Sequence, residues 1–513
     1  MKNFYYHLIR NLAALTVVTF IIAPANIDII EVKEYEIITE VDPIPDNSLN
    51  LSLTEAVDLD FQEILDRGTI RMITNYNIGS YFLRGGLDRG FEYEFFSTFA
   101  RQHDLTVEVI VLQPDDNPVD VLNSGEGDII AANFIKTSMR DEQVSFSEPY
   151  NMINQHIILP DERYDITELD ELENITISVR RNSAHHETLL GLKKQGYSFD
   201  LDLVSETIEK EALIVGVAEG RYQATVSDDH QFNILKTYVT GVHLGPKISN
   251  NDPVGWGVRH NASQLKKEVD KYTYGNFKHD PKQNKNWKSG YLTLLQDRYF
   301  NNPKLIEQNR RDIHKLMYHG VMSPYDQLIR PVADDAGVDW KLAIAVMAQE
   351  SSFRPGAVSI AGAVGLMQII PRFSQISDKS GLMDPKTNIG EGMRYITNHL
   401  NHYSYLDTEN QLALTLATYN AGMGHLADAR RLTIDSNKDP NNWGDVSEAL
   451  LKLMDRKYYN NARYGFCRGT ETVDYVEKVT ARYKTYQAIS QLANSTGKED
   501  VEETILAMGK IGK

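Results

Sequence analysis

The 513 residues carry a formal net charge of −18, with 42% apolar and 24% charged side chains. A chain of this length exceeds what one hydrophobic core supports, so two or three domains are expected. The acidic balance argues against nucleic-acid binding, which needs a basic surface, and the single cysteine, Cys467, excludes an internal disulfide and a thiolate metal cluster.

Residues 1–25 read as an export signal. Lys2 and Arg10 give a positive start, residues 12–23 form an apolar run, and Ala23-Pro24-Ala25 fits a small-x-small cleavage site. The alternative is an uncleaved N-terminal anchor; in both cases the rest of the chain is expected outside the cytoplasm. No cysteine follows the leader, so a lipoprotein is not expected. Residues 26–57, acidic and with Pro43 and Pro45, read as a linker.

From residue 58 to residue 300 strand-like and helix-like segments alternate, which predicts an α/β domain with a largely parallel sheet. Strands are expected at 68–74, 105–112 and 128–132, with helices at 91–103, where Phe91, Phe95, Phe96 and Phe99 share a side, and at 119–123. A second set follows: strands at 175–179, 224–226 and 255–258, helices at 184–196 and 213–219. Two similar lobes are therefore expected, with residues 301–307 as a junction. Beyond 308 helical patterns dominate, which predicts a mainly α domain over 301–490 and a tail over 491–513.

Within the α domain, Asp339 can cap a helix over 340–351 whose residues 342–348 are all apolar, as in a buried helix. Glu350 sits at its C-terminal end. Partial desolvation and the helix dipole both raise the pKa of a carboxyl group there, and a carboxylic acid still protonated near neutral pH is what a glycosidic leaving group requires. A glutamate paired with Arg354 at an exposed helix end is the bland alternative. Gly362 and Gly365 allow close backbone approach before Met367 and Gln368, and a second apolar helix ends in Tyr419-Asn420-Ala421-Gly422.

Four segments occur in order: Glu350-Ser351-x-Phe353; Ser359-x-x-Gly362-Ala363-x-Gly365-Leu366-Met367-Gln368-Ile369-x-Pro371; Tyr419-Asn420-Ala421-Gly422; and Glu471-Thr472-x-x-Tyr475-Val476. Together they resemble the soluble lytic transglycosylase family, whose fold is lysozyme-like. The resemblance covers roughly residues 310–490. It implies that Glu350 is general acid and then general base. It also implies that Ser359, Met367, Gln368, Tyr419, Asn420 and Tyr475 line a glycan cleft, and that peptidoglycan strands are cut to 1,6-anhydro ends without water. No second acid stands in a matching motif, and Glu471 reads as structural.

In the first domain, Gly90-Phe91-Glu92-Tyr93-Glu94, Gly127-Asp128-Ile129-Ile130, Thr137-x-x-Arg140 and Phe146-Ser147-x-Pro149-Tyr150 resemble extracellular solute-binding proteins for amino acids, with a bilobal fold like that of periplasmic binding proteins. That resemblance implies that Arg140 clamps a ligand carboxylate, with Asp228 as the candidate for its amino group; a surface pair of Arg140 with Asp141 or Glu142 is the alternative. Ile135 departs from the family pattern, so an amino acid or a cell-wall peptide (muropeptide) as effector, and a pocket that has lost binding, all remain open. Peripheral attachment to the outer membrane, in the periplasm, is the family expectation. No phosphate loop, dinucleotide fingerprint or metal-binding histidine cluster stands out, so no cofactor and no metal are expected; the His185-His186 pair reads as surface. The competing readings are a transport receptor, an inactive glycan-binding scaffold and a hydrolytic lysozyme.

Overall fold

The computed structural model describes residue 52 and residues 54–495, apart from 115, 206, 207, 209 and 377. The expectations for the leader and for most of the linker lie outside the described residues. The end of that linker does not hang free. Val57 N donates to Asn123 O at 2.9 Å and the Asn123 side chain donates to Thr54 O at 3.0 Å, so residues 54–57 belong to the first lobe.

The first lobe contains β1 (Thr69–Thr74), a hairpin of β2 (Phe82–Arg84) and β3 (Leu87–Arg89), α1 (Phe91–Gln102), β4 (Thr106–Val111), β5 (Ile129–Ile130) and β6 (Ser145–Phe146). The second contains β7 (Gln155–Pro160), β8 (Thr176–Arg180), α2 (Ala184–Lys194), β9 (Asp200–Val204), β10 (Thr225–Asp228) and β11 (Val242–Lys247). The chain then returns to lobe one as β12 (Gly257–Val258). The two crossings pair with each other, Asn151–Ile153 antiparallel to Asp252–Val254, which forms the hinge.

Only part of the sheet is parallel. In the order β4-β1-β5-β12-β6, the first three strands run parallel, whereas β12 is antiparallel to both neighbours because it enters from the other lobe. In lobe two, β10-β7-β11 is antiparallel and β8-β9 parallel. The apolar side of α1 packs as expected: Phe91, Phe95, Phe96 and Phe99 are buried against Trp256 and Tyr272. Beneath them Glu92 accepts from Tyr150 OH, from Trp256 Nε1 at 3.0 Å and from Asn133 N at 2.8 Å. Burial alone raises its pKa, against these bonds.

The expected junction at 301–307 is the start of a helix. Asn302 caps α3 (Pro303–His319), with proline at its first position, where the missing N–H costs nothing. The α domain continues through α4 (Asp326–Ala336), α5 (Trp340–Ser351), α6 (Pro385–His402), α7 (Thr408–Ala421), α8 (Met423–Asp435), α9 (Trp443–Lys452) and α10 (Gly469–Ser495). The last helix passes residue 490 into the segment assigned to a tail, held there by buried Leu492. Helix α5 is buried from Leu342 to Ala348, and α4 and α10 pack against it.

One apolar core is shared between the domains. Tyr81, Leu83, Val109 and Val111 of lobe one belong to the same cluster as Ala345, Met347 and Tyr475. Replacing Phe95 by Ala should cost about 3–5 kcal/mol, read as a lower denaturation midpoint of the full chain.

Candidate active site

Asp339 caps α5 by accepting from Lys341 N at 3.0 Å. The helix then runs to Ser351 and ends in two non-glycine residues with left-handed backbone, Ser352 (φ 49°) and Phe353 (φ 61°). Glu350 thus stands on the last turn of a helix sunk in apolar side chains. Arg354 does not pair with it; its Nε donates to Ser351 O at 3.0 Å. Burial pushes the Glu350 carboxyl up to about 7, Tyr475 pulls it back, and Glu471 pushes it further up.

Tyr475 OH donates to Glu350 Oε1 at 2.8 Å, the one hydrogen bond to this carboxyl group among the described residues. The phenol comes from α10 and is itself only 4% exposed. Facing it, Tyr419 at the end of α7 donates to Met367 O at 2.7 Å; the nearby Glu350 charge contributes to raising its pKa, after burial. Asn420 Oδ1 accepts from Thr472 Oγ1 at 2.9 Å, which ties α7 to α10.

The loop between α5 and α6 carries Ser359, Met367 and Gln368. Ser359 Oγ accepts from Ala363 N at 3.0 Å. Gln368 adopts φ 48° and donates from Nε2 to Gly365 O at 2.8 Å and to Ala357 O at 3.2 Å. Met367 departs from the expectation that it lines the cleft. Its side chain is 0% exposed and packs on Gly392, where an added Cβ would lie 2.2 Å from its sulfur. It supports the loop from below, and its carbonyl is the group that meets Tyr419.

Two anchors of this loop were not found from sequence. Asn388, buried on α6, accepts from Met367 N at 2.7 Å and donates to Val364 O and Leu382 O, each at 2.8 Å. Ser351 Oγ donates to Leu366 O at 2.8 Å. Gly365 is required here, because a Cβ would lie 2.2 Å from the Asn388 amide. Both anchors act from outside the functional motifs or through a hydroxyl that the motif does not explain.

The other sequence-predicted pair lies between the lobes. Arg140 is not a surface pair partner: Asp141 is taken by Lys136 at 2.9 Å. The Arg140 guanidinium donates to Ile135 O at 3.1 Å and lies 4.4 Å from the centre of the Phe134 ring. Burial lowers its pKa to about 10, against the attraction of Glu187 and Asp228. Asp228 is 0% exposed and accepts from His185 at 3.0 Å. Burial alone would raise its pKa; His185, Lys210 and His230 reverse that and hold it well below the usual range. The reading of His185-His186 as surface is wrong, since both are buried at the start of α2. The lobes meet through Met139 N to Glu187 Oε1 at 3.1 Å and His230 with Asn133 at 3.0 Å.

A buried, tyrosine-bonded acid on a helical scaffold beside a bilobal binding domain defines a lytic transglycosylase with an appended solute-binding module. The match to family models follows the same division: residues 53–301 match bacterial extracellular solute-binding proteins, family 3, and residues 327–442 match the transglycosylase SLT domain. The chain belongs to the membrane-bound lytic murein transglycosylase F family. It is 30% identical to the protein of that name from Desulfosudis oleivorans, over 82% of this chain and 90% of that one. It is 27% identical to the one from Ectopseudomonas mendocina, over 84% and 86%. Among solved structures, an ancestral arginine-binding protein bound to arginine is similar over 46% of this chain and 99% of its own, at 21% identity and a TM-score of 0.38.

Because Tyr475 lowers the Glu350 pKa, Tyr475→Phe should move it above 7. Cleavage that needs the protonated acid should then fall off at higher pH than in the parent, measured as the basic limb of kcat/KM. Unfolded Glu350 ionises near 4.5 and the folded group near 7, so stability from this group falls as pH rises between them. Glu350→Gln should therefore raise Tm relative to the parent at pH 8 and much less at pH 4.

Proposed function

We propose that the chain is an exported enzyme that cuts the β-1,4 bond between N-acetylmuramic acid and N-acetylglucosamine in peptidoglycan without water. The observation that carries this reading is the Glu350 carboxyl group, pushed up to about 7 so that a large share of it, about half, keeps its proton near pH 7, and oriented through one phenol. Protonated Glu350 gives its proton to the glycosidic oxygen, and the bond to muramyl C1 breaks with oxocarbenium-like charge. The resulting carboxylate takes the proton of the C6 hydroxyl, O6 bonds to C1, and Glu350 is protonated again. One carboxyl group completes the cycle, because the nucleophile belongs to the substrate.

Tyr419 lies within electrostatic reach of this acid; with Ser359, Gln368 and Asn420 it supplies the polar rim against which the acetamido and hydroxyl groups are held. Burial keeps Tyr475 and Tyr419 as phenols that donate, never as phenolates. In the interlobe site, Arg140 takes a carboxylate and Asp228 an ammonium. Support comes from Asp228 Oδ2 and Glu187 Oε2, both buried without a hydrogen-bond partner; buried polar atoms of this kind are ordinarily satisfied. The effector is an amino acid or a cell-wall peptide, and its binding alters the lobe geometry and through it the rate of cleavage. The protein works in the periplasm, peripheral to the outer membrane, in keeping with the membrane-bound relatives.

Glu350→Gln should abolish release of anhydro-ended muropeptides from purified peptidoglycan while the fold persists by circular dichroism. Products that carry an added water in the mass spectrum would replace this reading with a hydrolase. In the first domain, Arg140→Ala should weaken binding of cell-wall peptides or free amino acids at least a hundredfold by calorimetry; equal affinity would remove Arg140 from the site.

A further inference from the structure

The hairpin of lobe one enters the catalytic domain. Its turn, Gly85-Gly86, has φ 57° and 83°, the positive pair that a tight two-residue hairpin needs. Gly86 lies against Phe353: a Cβ there would sit 2.5 Å from two carbons of that ring. Gly86 O also accepts from Tyr486 OH of α10. Phe353 follows Glu350 by one short segment, in the left-handed backbone that non-glycine residues hold only when their surroundings fix it. The hairpin turn, with Tyr325 stacked 6.5 Å away, supplies those surroundings.

A second contact reaches the catalytic helix from the same hairpin. Asp88 accepts from Tyr81 OH at 2.7 Å and from Arg482 at 3.0 Å. The other terminal nitrogen of Arg482 reaches Gln349 Oε1 at 3.5 Å, the residue before Glu350. Arg482 lies on α10 seven residues after Tyr475, on the same face of that helix. One guanidinium therefore touches the binding-like domain, the helix of the acid and the helix of the phenol. Its side chain is 20% exposed, and that of Asp88 13%. The planar fork suits this bridging, which an ammonium on a single stem does not reproduce.

We infer that Asp88 is a positioning residue for cleavage: through Arg482 and Gln349, and with the Gly86 turn under Phe353, lobe one sets the register between Glu350 and Tyr475. The inference rests on the reading of Glu350 as the acid. It assigns lobe one a part in catalysis that is separate from ligand capture, since neither Asp88 nor Gly86 faces Arg140 or Asp228. A small error in the placement of a general acid costs rate rather than substrate affinity.

The test uses the full chain and solubilised glycan strands, with kcat, KM and Tm measured together. Asp88→Asn should lower kcat about tenfold with KM within about twofold of the parent, and Asp88→Glu should recover most of the loss. An unchanged kcat, or a loss that vanishes when each variant is assayed equally far below its own Tm, overturns the inference and leaves the contact as interdomain packing. Should Asp88→Asn fail to fold, Gln349→Ala leaves the Asp88–Arg482 pair in place. It should lower kcat at unchanged Tm, and a parent-like kcat overturns the inference equally. A parent protein that does not cleave glycan overturns the reading of Glu350 and this inference together; cleavage by the parent with undiminished variants overturns this inference alone.

Discussion

On the proposed reading of Glu350 as the acid, the central constraint on the catalytic half is a carboxyl group kept out of water with no cation paired to it among the described residues. An arginine beside Glu350 would hold it ionised and useless as an acid. Arg354, the nearest basic residue in sequence, instead donates to the Ser351 carbonyl. Desolvation at the end of an apolar helix raises the pKa, and a single phenol restrains the rise so that the group can both give and take a proton near neutral pH. Two strong donors would over-stabilise the carboxylate; none would leave the acid without orientation. Tyr475 at 2.8 Å is the compromise, and its own burial keeps it a donor.

That compromise needs three segments held to a fraction of an ångström: the end of α5, the middle of α10 and the loop beneath Tyr419. The loop is fixed from below by Asn388, which satisfies three backbone groups at once. Such buried amides cost little when every bond is made and much when one is lost. The two helices are fixed from the far side by the first domain. Thr485 Oγ1 of α10 donates to Val109 O of β4 at 3.0 Å, beside the Arg482 bridge. The shared apolar cluster of Tyr81, Leu83, Val109 and Val111 makes this more than a set of surface contacts.

The local parts of this arrangement were legible in the sequence. Helix α5 and its cap can be read because an aspartate precedes an unbroken apolar run, and Tyr475 can be placed because its motif resembles a known one. What failed was created by docking. Asp88 and Arg482 are 394 residues apart, and neither neighbourhood carries a sign of the other. His185 reads as a polar residue beside another histidine, yet it is buried because α2 points its first turn at Asp228. Met367 was expected in the cleft from its place in the motif, but the small Gly392 on the facing helix draws its side chain into the core. Glu92 stands in the sequence as part of the Gly90–Glu94 segment with no role of its own; only the sheet's return strand, which brings Trp256 to it, shows why it is there.

The two lobes are therefore not equivalent. Lobe one is joined to the catalytic helices by a continuous core, and it also carries Arg140. Lobe two reaches α3 through Tyr238, whose ring lies 4.8 Å from the Arg310 guanidinium, and through Ile234, which shares a buried cluster with Ile306; its described residues do not enter the core that lobe one shares with α5 and α10. A change in lobe closure is thus most easily absorbed as motion of lobe two about the paired hinge segments Asn151–Ile153 and Asp252–Val254, while lobe one stays with the acid it supports. On this geometry the proposed effector would act through α3, and not by pulling the hairpin away from Phe353. On the proposed reading, Glu350 and Tyr475 would then keep the same register with the effector bound or absent, because the contacts that hold them come from lobe one.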